Sequence, residues 1–243
     1  RVLDWDDRGT CILFGDGAGA VVLQGSSVPG GLLSTALRSD GSGGNLLKLP
    51  NVYKNHKPIM GPEFTPNGAD KNTISMHGRQ VFRFATQVVP DIIHEVLEKA
   101  DLDISEVDLI VPHQANSRII DYASKKLGVE PDMFFVNVGR MGNTSAASIP
   151  IALCDAIEQD RIQPGNKVIF VGFGGGLTWA AALLRWDTKK PEDLSATENQ
   201  WRRTRYVLAR GRSRAKQVSR NIMARFGRSP TPDARLRDAD KKP

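Results

Sequence analysis

Three short motifs place chemically useful residues close behind apolar runs of the sequence. His113 follows Leu109–Val111, Asn143 lies in a glycine-flanked turn before a helix rich in alanine and serine, and Gly172–Gly176 is a glycine run. A neutral imidazole and a carboxamide N–H that converge on one oxygen would stabilise an enolate or oxyanion. The glycines would let backbone N–H groups approach a second, thioester carbonyl. Each motif alone is more often structural, as a turn, a helix cap or a bend, so the indication of thioester chemistry depends on their joint occurrence.

Alternating apolar runs and helical periodicities would position these motifs. We predict strands at Leu109–Val111, Met133–Val138, Lys167–Val171 and Thr178–Arg185. We predict helices at Arg79–Ala100, about Asn116–Leu127 and about Ser145–Gln159. Pro90 should kink the first helix or split it in two. The alternation is typical of an α/β fold with helices packed on the sheet, in which sites lie just after strand ends.

The first segment, Thr10–Gln24, has two apolar runs around small residues. This pattern predicts a strand, a tight turn and a second strand, with both faces buried. Gly15, Gly17 and Gly19 do not have the order of a dinucleotide fingerprint, and a strand rather than a helix should follow them. They therefore predict close backbone packing inside a sheet. Residues 39–72 are rich in Gly, Pro and Asn, which predicts an irregular connection.

The positive charge is confined to the end of the chain. Residues 1–186 carry 17 Lys/Arg and 20 Asp/Glu, whereas residues 187–243 carry 16 and 7. The body is therefore mildly acidic, and we expect no nucleic-acid partner. For residues 187–243 we favour a flexible, solvated extension, and a lone amphipathic helix on an anionic surface is the alternative.

Cysteine and histidine usage gives no sign of a disulfide framework or a metal site. Cys11 and Cys154 are the two cysteines, and we expect both to be small buried hydrophobes. The four histidines have no recognised metal-ligand spacing, so no metal is predicted. No run of eighteen apolar residues occurs, so no membrane span is predicted.

Taken together, the motifs resemble a known enzyme family. The resemblance is carried by Asp7–Ala20, His113-Gln114-Ala115-Asn116, Gly142–Ser148 and Phe173–Trp179. These sequences are similar to those of β-ketoacyl-acyl-carrier-protein synthase III, and the similarity runs from about Arg1 to Trp186. Within it, Thr10–Asp16 resembles the plastid and cyanobacterial members.

The resemblance implies a thiolase-like fold of two similar halves and a homodimer. Residues 1–40 would be the end of the N-terminal half, residues 41–186 the C-terminal half, and residues 187–243 a basic extension. The implied reaction condenses acetyl-CoA with malonyl-acyl-carrier protein to acetoacetyl-acyl-carrier protein, with CoA and CO2 released. Acetyl-CoA is a substrate and no cofactor is implied. The implied compartment is the cytoplasm in a bacterium and the plastid stroma in a plant or alga.

The resemblance also implies residue roles. His113 and Asn143 would promote malonyl decarboxylation and hold the enolate oxygen, and Gly175 would offer an oxyanion N–H. CoA and the acyl group would contact Arg8, Phe14, Gly78, Phe82, Asn116 and Phe173. The carrier protein would dock on Gln114, Ala115, Asn116, Ser117 and Arg118, with Arg83, Lys125 and Lys126 adding positive charge.

One part of the family pattern is absent. The family's nucleophilic cysteine would lie upstream of Arg1, and neither Cys11 nor Cys154 has a nucleophile-like context. Without an activated thiol no acyl-enzyme forms, so we expect this chain alone to be inactive. Two alternatives remain open: a type III polyketide or other secondary-metabolite condensing enzyme, and a non-catalytic half-fold that binds carrier protein.

Overall fold

The computed structural model describes residues 2–23, 31–49 and 73–186, and the backbone of residues 53–54 and 57–58. The predictions for residues 187–243 fall outside the described residues. The strands are β1 (Gly31–Ser39), β2 (Leu47–Lys48), β3 (Tyr53–Lys54), β4 (Lys57–Pro58), β5 (Ser75–Met76), β6 (Leu109–Pro112), β7 (Lys167–Gly174) and β8 (Thr178–Arg185). The helices are α1 (Gly78–Ala100), α2 (Ser117–Leu127), α3 (Val138–Met141) and α4 (Ser148–Glu158). Short 3-10 turns lie at Gly41–Gly43, Ile104–Glu106, Pro131–Met133 and Ser145–Ala147.

The main sheet has four strands in the order β1-β8-β7-β6. β6 and β7 are parallel, whereas β7 with β8 and β1 with β8 are antiparallel. Two short antiparallel pairs, β2 with β5 and β3 with β4, lie outside it. The predicted strands β6, β7 and β8 and the α/β class are confirmed.

Side chains alternate between the two faces of the sheet, as strand geometry requires. Toward α1 and α2 the strands direct Ile110, Ile169, Val171, Ala181 and Leu183. Toward α4 they direct Leu109, Val111 and Val168, which pack with Ala152, Leu153 and Ala156. The core is therefore two apolar layers, one on each side of β6 and β7.

The helix α1 is continuous, so of the two outcomes predicted for Pro90, a kink or a split, the split is wrong. Proline removes one backbone hydrogen bond from a helix. Pro90 is buried within a stripe that includes Val89, Ile92 and Ile93, and the burial of this stripe against the sheet offsets that loss. α2 forms as predicted: the Asn116 side chain caps its first turn, and Gly128 ends it at φ 68°.

The two strands predicted within Thr10–Gln24 do not form. Residues 10–13 are a turn, and Phe14 makes a single β-bridge with Asn143. Val22 and Leu23 are 94% and 88% exposed rather than buried. A strand needs hydrogen-bond partners for its backbone groups. Among the described residues, the bridge to Asn143 is the β-pairing that Phe14 makes. The close backbone packing predicted for the glycines is present at Gly15, where a Cβ would lie 2.3 Å from the Met141 carbonyl oxygen, but its predicted place inside a sheet is wrong.

The strand predicted at Met133–Val138 is reduced to one bridge, between Ile110 and Phe134. Beyond it, the N–H groups of Asn137 and Val138 donate to the Gln114 side chain instead of a neighbouring strand. The chain then turns into α3. β1 was not predicted because it buries Ser34 and Ala36 while Leu32 and Leu37 are exposed, which inverts the usual pattern.

The prediction of two buried cysteines is wrong for Cys154, which is exposed on α4, while Cys11 is half-buried. Cys154 lies outside the stripe by which α4 contacts the sheet. Within the described ranges no group of His, Cys, Asp or Glu could hold a metal ion. No helix in the part of the chain that the structure describes is long and apolar enough to cross a membrane.

Candidate active site

A broad cleft of about 1980 Å³ opens where β6 and β7 end. It brings together the three motifs, since His113, Asn143 and Gly175 all line it. Its volume exceeds the range of about 300–1,000 Å³ usual for small-molecule sites. The cleft therefore has room for more than a single small ligand.

His113 is fixed by backbone and ring contacts. Its N–H donates to the Val171 carbonyl at 2.7 Å, which continues the pairing of β6 with β7. Its Nδ1 lies 2.5 Å from the Ser148 hydroxyl oxygen. The ring packs edge-on against Phe173, with centroids 5.3 Å apart. Burial lowers the pKa of His113 to about 4, so the imidazole is neutral near pH 7 although the residue still reaches the cleft.

Asn143 is held by both its backbone and its side chain. Its N–H donates to the Leu13 carbonyl at 2.9 Å, and its carbonyl accepts from Gly15 N–H at 3.0 Å. Its Oδ1 accepts from the backbone N–H of Ser145 at 2.9 Å. The carboxamide oxygen is therefore occupied, and Nδ2 is the atom left to donate to a ligand.

The turn at the start of α4 connects the two side chains. Ser145 N–H fixes the Asn143 carboxamide, and the Ser148 hydroxyl contacts His113 Nδ1. Ser148 Oγ also lies 3.0 Å from the Ser145 carbonyl oxygen. One turn of backbone thus sets the orientation of the imidazole and of the amide.

Gln114 was predicted to contact a carrier protein, and the structure contradicts this prediction. Its side chain is 0% exposed, so it cannot contact a docking partner. Nε2 donates to the Pro112 and Phe135 carbonyls, at 3.0 and 2.9 Å. Oε1 accepts from the N–H groups of Asn137 and Val138, at 3.0 and 3.1 Å. Gln114 therefore ties the end of β6 to the segment that leads into α3.

The structure places most of the remaining predicted substrate residues at the cleft. Lining residues among them are Phe14, Gly78, Phe82, Asn116 and Phe173. Arg8 is the exception: it is exposed and does not line the cleft, although the neighbouring Gly9 does. Gly175 lies in the turn between β7 and β8, where a Cβ would come within 2.9 Å of the Leu47 carbonyl oxygen. This approach excludes a side chain at position 175.

The other residues predicted to bind a carrier protein lie at or near the surface. Ser117, Arg118, Arg83 and Lys125 are exposed, and Ala115 and Asn116 are half-buried at the cleft. Arg118 also lines the cleft. Lys126 is exposed but pairs with Asp91 on α1, at 2.8 Å. Its charge is therefore partly neutralised, which weakens its case as a docking residue.

Two contacts made by cleft-lining residues were not predicted. Ser148 was visible in the motif Gly142–Ser148, but its contact with His113 joins residues 35 positions apart and has no local signal. Phe84 links Phe173 to Trp179, with ring centroids 6.4 and 5.3 Å away. The helical spacing of apolar residues in α1 predicted which of them form its buried stripe, but it did not predict this aromatic contact.

Comparisons with known proteins agree with this arrangement. The family model described as 3-oxoacyl-[acyl-carrier-protein (ACP)] synthase III C terminal matches residues 97–186, and the one described as 3-oxoacyl-[acyl-carrier-protein (ACP)] synthase III matches residues 1–41. A curated relative from Clostridium perfringens, β-ketoacyl-[acyl-carrier-protein] synthase III, is 46% identical over 185 residues, or 76% of this chain and 56% of the relative.

Solved structures show the same likeness. The 3-oxoacyl-[acyl-carrier-protein] synthase III of Aquifex aeolicus superposes with a TM-score of 0.66 at 42% identity, over 76% of this chain and 54% of that one. The priming β-ketosynthase of the R1128 polyketide pathway gives 0.63 at 34% identity, over 77% and 55%. The fold is thiolase-like, and the chain spans about half the length of the curated relatives it matches. By both its family models and its structural neighbours, the chain belongs to the 3-oxoacyl-[acyl-carrier-protein] synthase III family.

Proposed function

We propose that the protein containing this chain carries out the decarboxylative condensation that starts type II fatty-acid synthesis. Acetyl-CoA and malonyl-acyl-carrier protein would give acetoacetyl-acyl-carrier protein, CoA and CO2. The observation that carries the proposal is the turn Ser145–Ser148, which holds a neutral imidazole and a carboxamide at one cleft. Two such groups can stabilise the enolate that decarboxylation requires.

In the proposed reaction, the bond between the malonyl carboxylate and its α-carbon breaks and CO2 leaves. The electron pair becomes an enolate whose oxygen accepts hydrogen bonds from Asn143 Nδ2 and from His113. The acetyl group has by then passed from acetyl-CoA to a cysteine thiolate, with CoA as the leaving group. The enolate carbon attacks this acetyl-cysteine thioester, and the cysteine thiolate leaves. Gly175 N–H would stabilise the oxyanion formed at that second carbonyl.

We further propose that the nucleophilic cysteine belongs to the part of the family's length that this chain does not match. Cys154 is exposed, and neither Cys154 nor Cys11 lines the cleft. An acyl-enzyme needs an activated nucleophile within reach of the substrate. The 243-residue chain by itself would therefore be inactive.

The proposed partners are acetyl-CoA and an acyl carrier protein, and the proposed assembly is a homodimer. Gly78, Asn116 and Phe173 at the cleft would line the pantetheine path. The exposed Arg83, Arg118 and Lys125 would attract the acidic surface of a carrier protein. The compartment would be the cytoplasm in a bacterium and the plastid stroma in a plant or alga.

The test is condensation by the intact protein with acetyl-CoA and malonyl-acyl-carrier protein. We expect His113→Gln to lose most of the turnover, while the matched control His94→Gln, at an exposed position of α1, keeps it. Loss of activity in both variants, or in neither, would contradict the proposal. An intact protein that binds carrier protein without turnover would instead support a non-catalytic role in binding carrier protein.

The likeness to the R1128 priming ketosynthase favours a second candidate, a condensing enzyme of secondary metabolism. The two candidates differ in the acyl group that they accept. A panel of primers from acetyl-CoA to aromatic acyl-CoA separates them. Product from acetyl-CoA supports fatty-acid initiation, and product mainly from an aromatic or long primer supports the second candidate.

A further inference from the structure

Ser148 is a buried residue at the start of α4 whose hydroxyl has three polar neighbours. Its Oγ lies 2.5 Å from His113 Nδ1 and 3.0 Å from the Ser145 carbonyl oxygen. The backbone N–H of Gln114, at 3.3 Å, can only donate to it. The single hydroxyl proton therefore goes either to the imidazole or to the carbonyl.

The surrounding hydrogen bonds favour the imidazole. The Ser145 carbonyl already accepts from the backbone N–H of Ser148, so it does not need the hydroxyl proton. His113 Nδ1 has no other partner among the described residues. The contact with Nδ1 is also the shorter of the two.

We propose that Ser148 donates its hydroxyl proton to His113 Nδ1 and thereby holds the ring in the tautomer protonated at Nε2. The partner of one ring nitrogen determines which form the other takes. Within the described ranges Nε2 has no hydrogen-bond partner, and His113 lines the cleft. Ser148 is thus a positioning residue that makes His113 a hydrogen-bond donor toward a ligand.

The opposite arrangement has a different consequence. If the hydroxyl proton went to Ser145, Nδ1–H would donate to Ser148 and Nε2 would present a lone pair. An enolate oxygen would be repelled by that lone pair and would lose one of its two donors. The catalytic consequence rests on the proposed function, whereas the tautomer itself does not.

The tautomer can be measured by magic-angle-spinning NMR of the protein labelled with 15N-histidine, which does not depend on particle size. The protein used is the intact one, and the spectrum of His113→Gln assigns the His113 signals among those of its other histidines. At neutral pH we expect Nε2 to resonate as a protonated nitrogen and Nδ1 as an unprotonated one. In Ser148→Ala the two signals should move toward each other as the tautomers exchange, and Ser148→Thr, which keeps a hydroxyl, should restore them.

A wild-type ring protonated at Nδ1, or nitrogen shifts that do not change in Ser148→Ala, would overturn the proposal. Ser124→Ala is the matched control, because Ser124 on α2 is equally buried, at 2%, and donates to the Val129 carbonyl beyond the end of that helix. It should leave the His113 shifts unchanged, and an equal change there would also overturn the proposal. A Ser148-dependent tautomer in an intact protein without condensing activity would refute the proposed function alone.

Discussion

At the scale of single residues, the site depends on where two small polar side chains place their hydrogen-bonding atoms. Asn143 has its carboxamide oxygen bound by Ser145 N–H, which leaves the N–H₂ group for a ligand. His113 has Nδ1 against Ser148 and a ring that burial keeps neutral. Groups oriented in advance stabilise developing charge without reorganising during the reaction. The proposed chemistry therefore resides in atoms that the fold leaves unoccupied.

The Asn143 carboxamide can be tested with an isosteric change. Asn143→Asp keeps the oxygen that accepts from Ser145 N–H but removes the donor, so condensation should fall by about 10²–10³-fold, as when an oxyanion donor is lost. Asn166→Asp is the control, since Asn166 Oδ1 accepts from Gln163 N–H in a similar turn outside the cleft. Steady-state kinetics of the intact protein would measure both, and equal losses would contradict a catalytic role for Asn143.

The His113 imidazole should stay neutral through the mildly acidic range. Burial lowers its pKa from 6.5 to about 4, so its NMR signals should remain constant on acidification until the pH approaches 4. Between these two values the unfolded chain binds more protons at this site than the folded protein. The contribution of His113 to stability is therefore complete above pH 6.5 and decreases as the pH falls toward 4. A titration midpoint near 6.5 would show that the ring is not enclosed in this way.

At the scale of elements, Gln114 holds the site together by joining segments that the sheet does not pair. Its carboxamide makes four hydrogen bonds, to the end of β6 and to the residues before and within α3. His113 directly precedes it, and α3 leads into the turn that contains Asn143. The distance between the two proposed catalytic residues thus depends on a buried side chain that does not line the cleft.

Removal of this carboxamide should be costly. Gln114→Met would leave two buried carbonyls and two N–H groups without their partners, and should lower the free energy of unfolding by about 2–5 kcal/mol. Gln163→Met is the control, because Gln163 is exposed, and a change within about 0.5 kcal/mol is expected there. Urea unfolding of the intact protein would give both values. A Gln114→Met variant as stable as the wild type would contradict the bridging role.

The sequence predicted those helices and strands whose spacing of apolar residues shows which of their side chains are buried. The stripe of α1, the helix α2 and the strands β6 to β8 follow from local periodicity. It failed at β1, whose leucines are exposed, and at Met133–Val138, where a distant glutamine takes the backbone N–H groups. The motifs identified His113 and Asn143, but Ser148 and the buried state of Gln114 result from contacts far apart in sequence.

At the scale of the whole molecule, exposed apolar side chains are concentrated near the beginning of the chain. Among the described residues, all but two of the exposed large hydrophobic residues lie between positions 5 and 37, including Trp5, Ile12, Val22 and Leu37. Exposed apolar surface of this kind is typical of an interface. In the proposed enzyme, this surface would pack against the rest of the protein and the cleft would be closed there.

The 243-residue chain expressed alone should therefore self-associate. Replacing Val22 and Leu23, which are 94% and 88% exposed, by aspartate should reduce the association without disturbing the core. Light scattering after size-exclusion chromatography would measure the mass. Ile92→Asp is the contrasting change, because Ile92 is fully buried on α1. An aspartate there would place a charge in the core and is expected to unfold the chain. A monodisperse monomer of the unmodified chain would contradict this expectation.

The most direct test of the proposed catalytic site is the release of CO2 from malonyl-acyl-carrier protein by the intact protein. Decarboxylation is the step for which His113 and Asn143 are proposed to supply hydrogen bonds. We predict CO2 release by the wild type, a loss of about 10²–10³-fold in Asn143→Asp, and wild-type release in the Asn166→Asp control. Release that is unaffected by Asn143→Asp, or none from the wild-type protein, would contradict the assignment of this cleft as a decarboxylating active site.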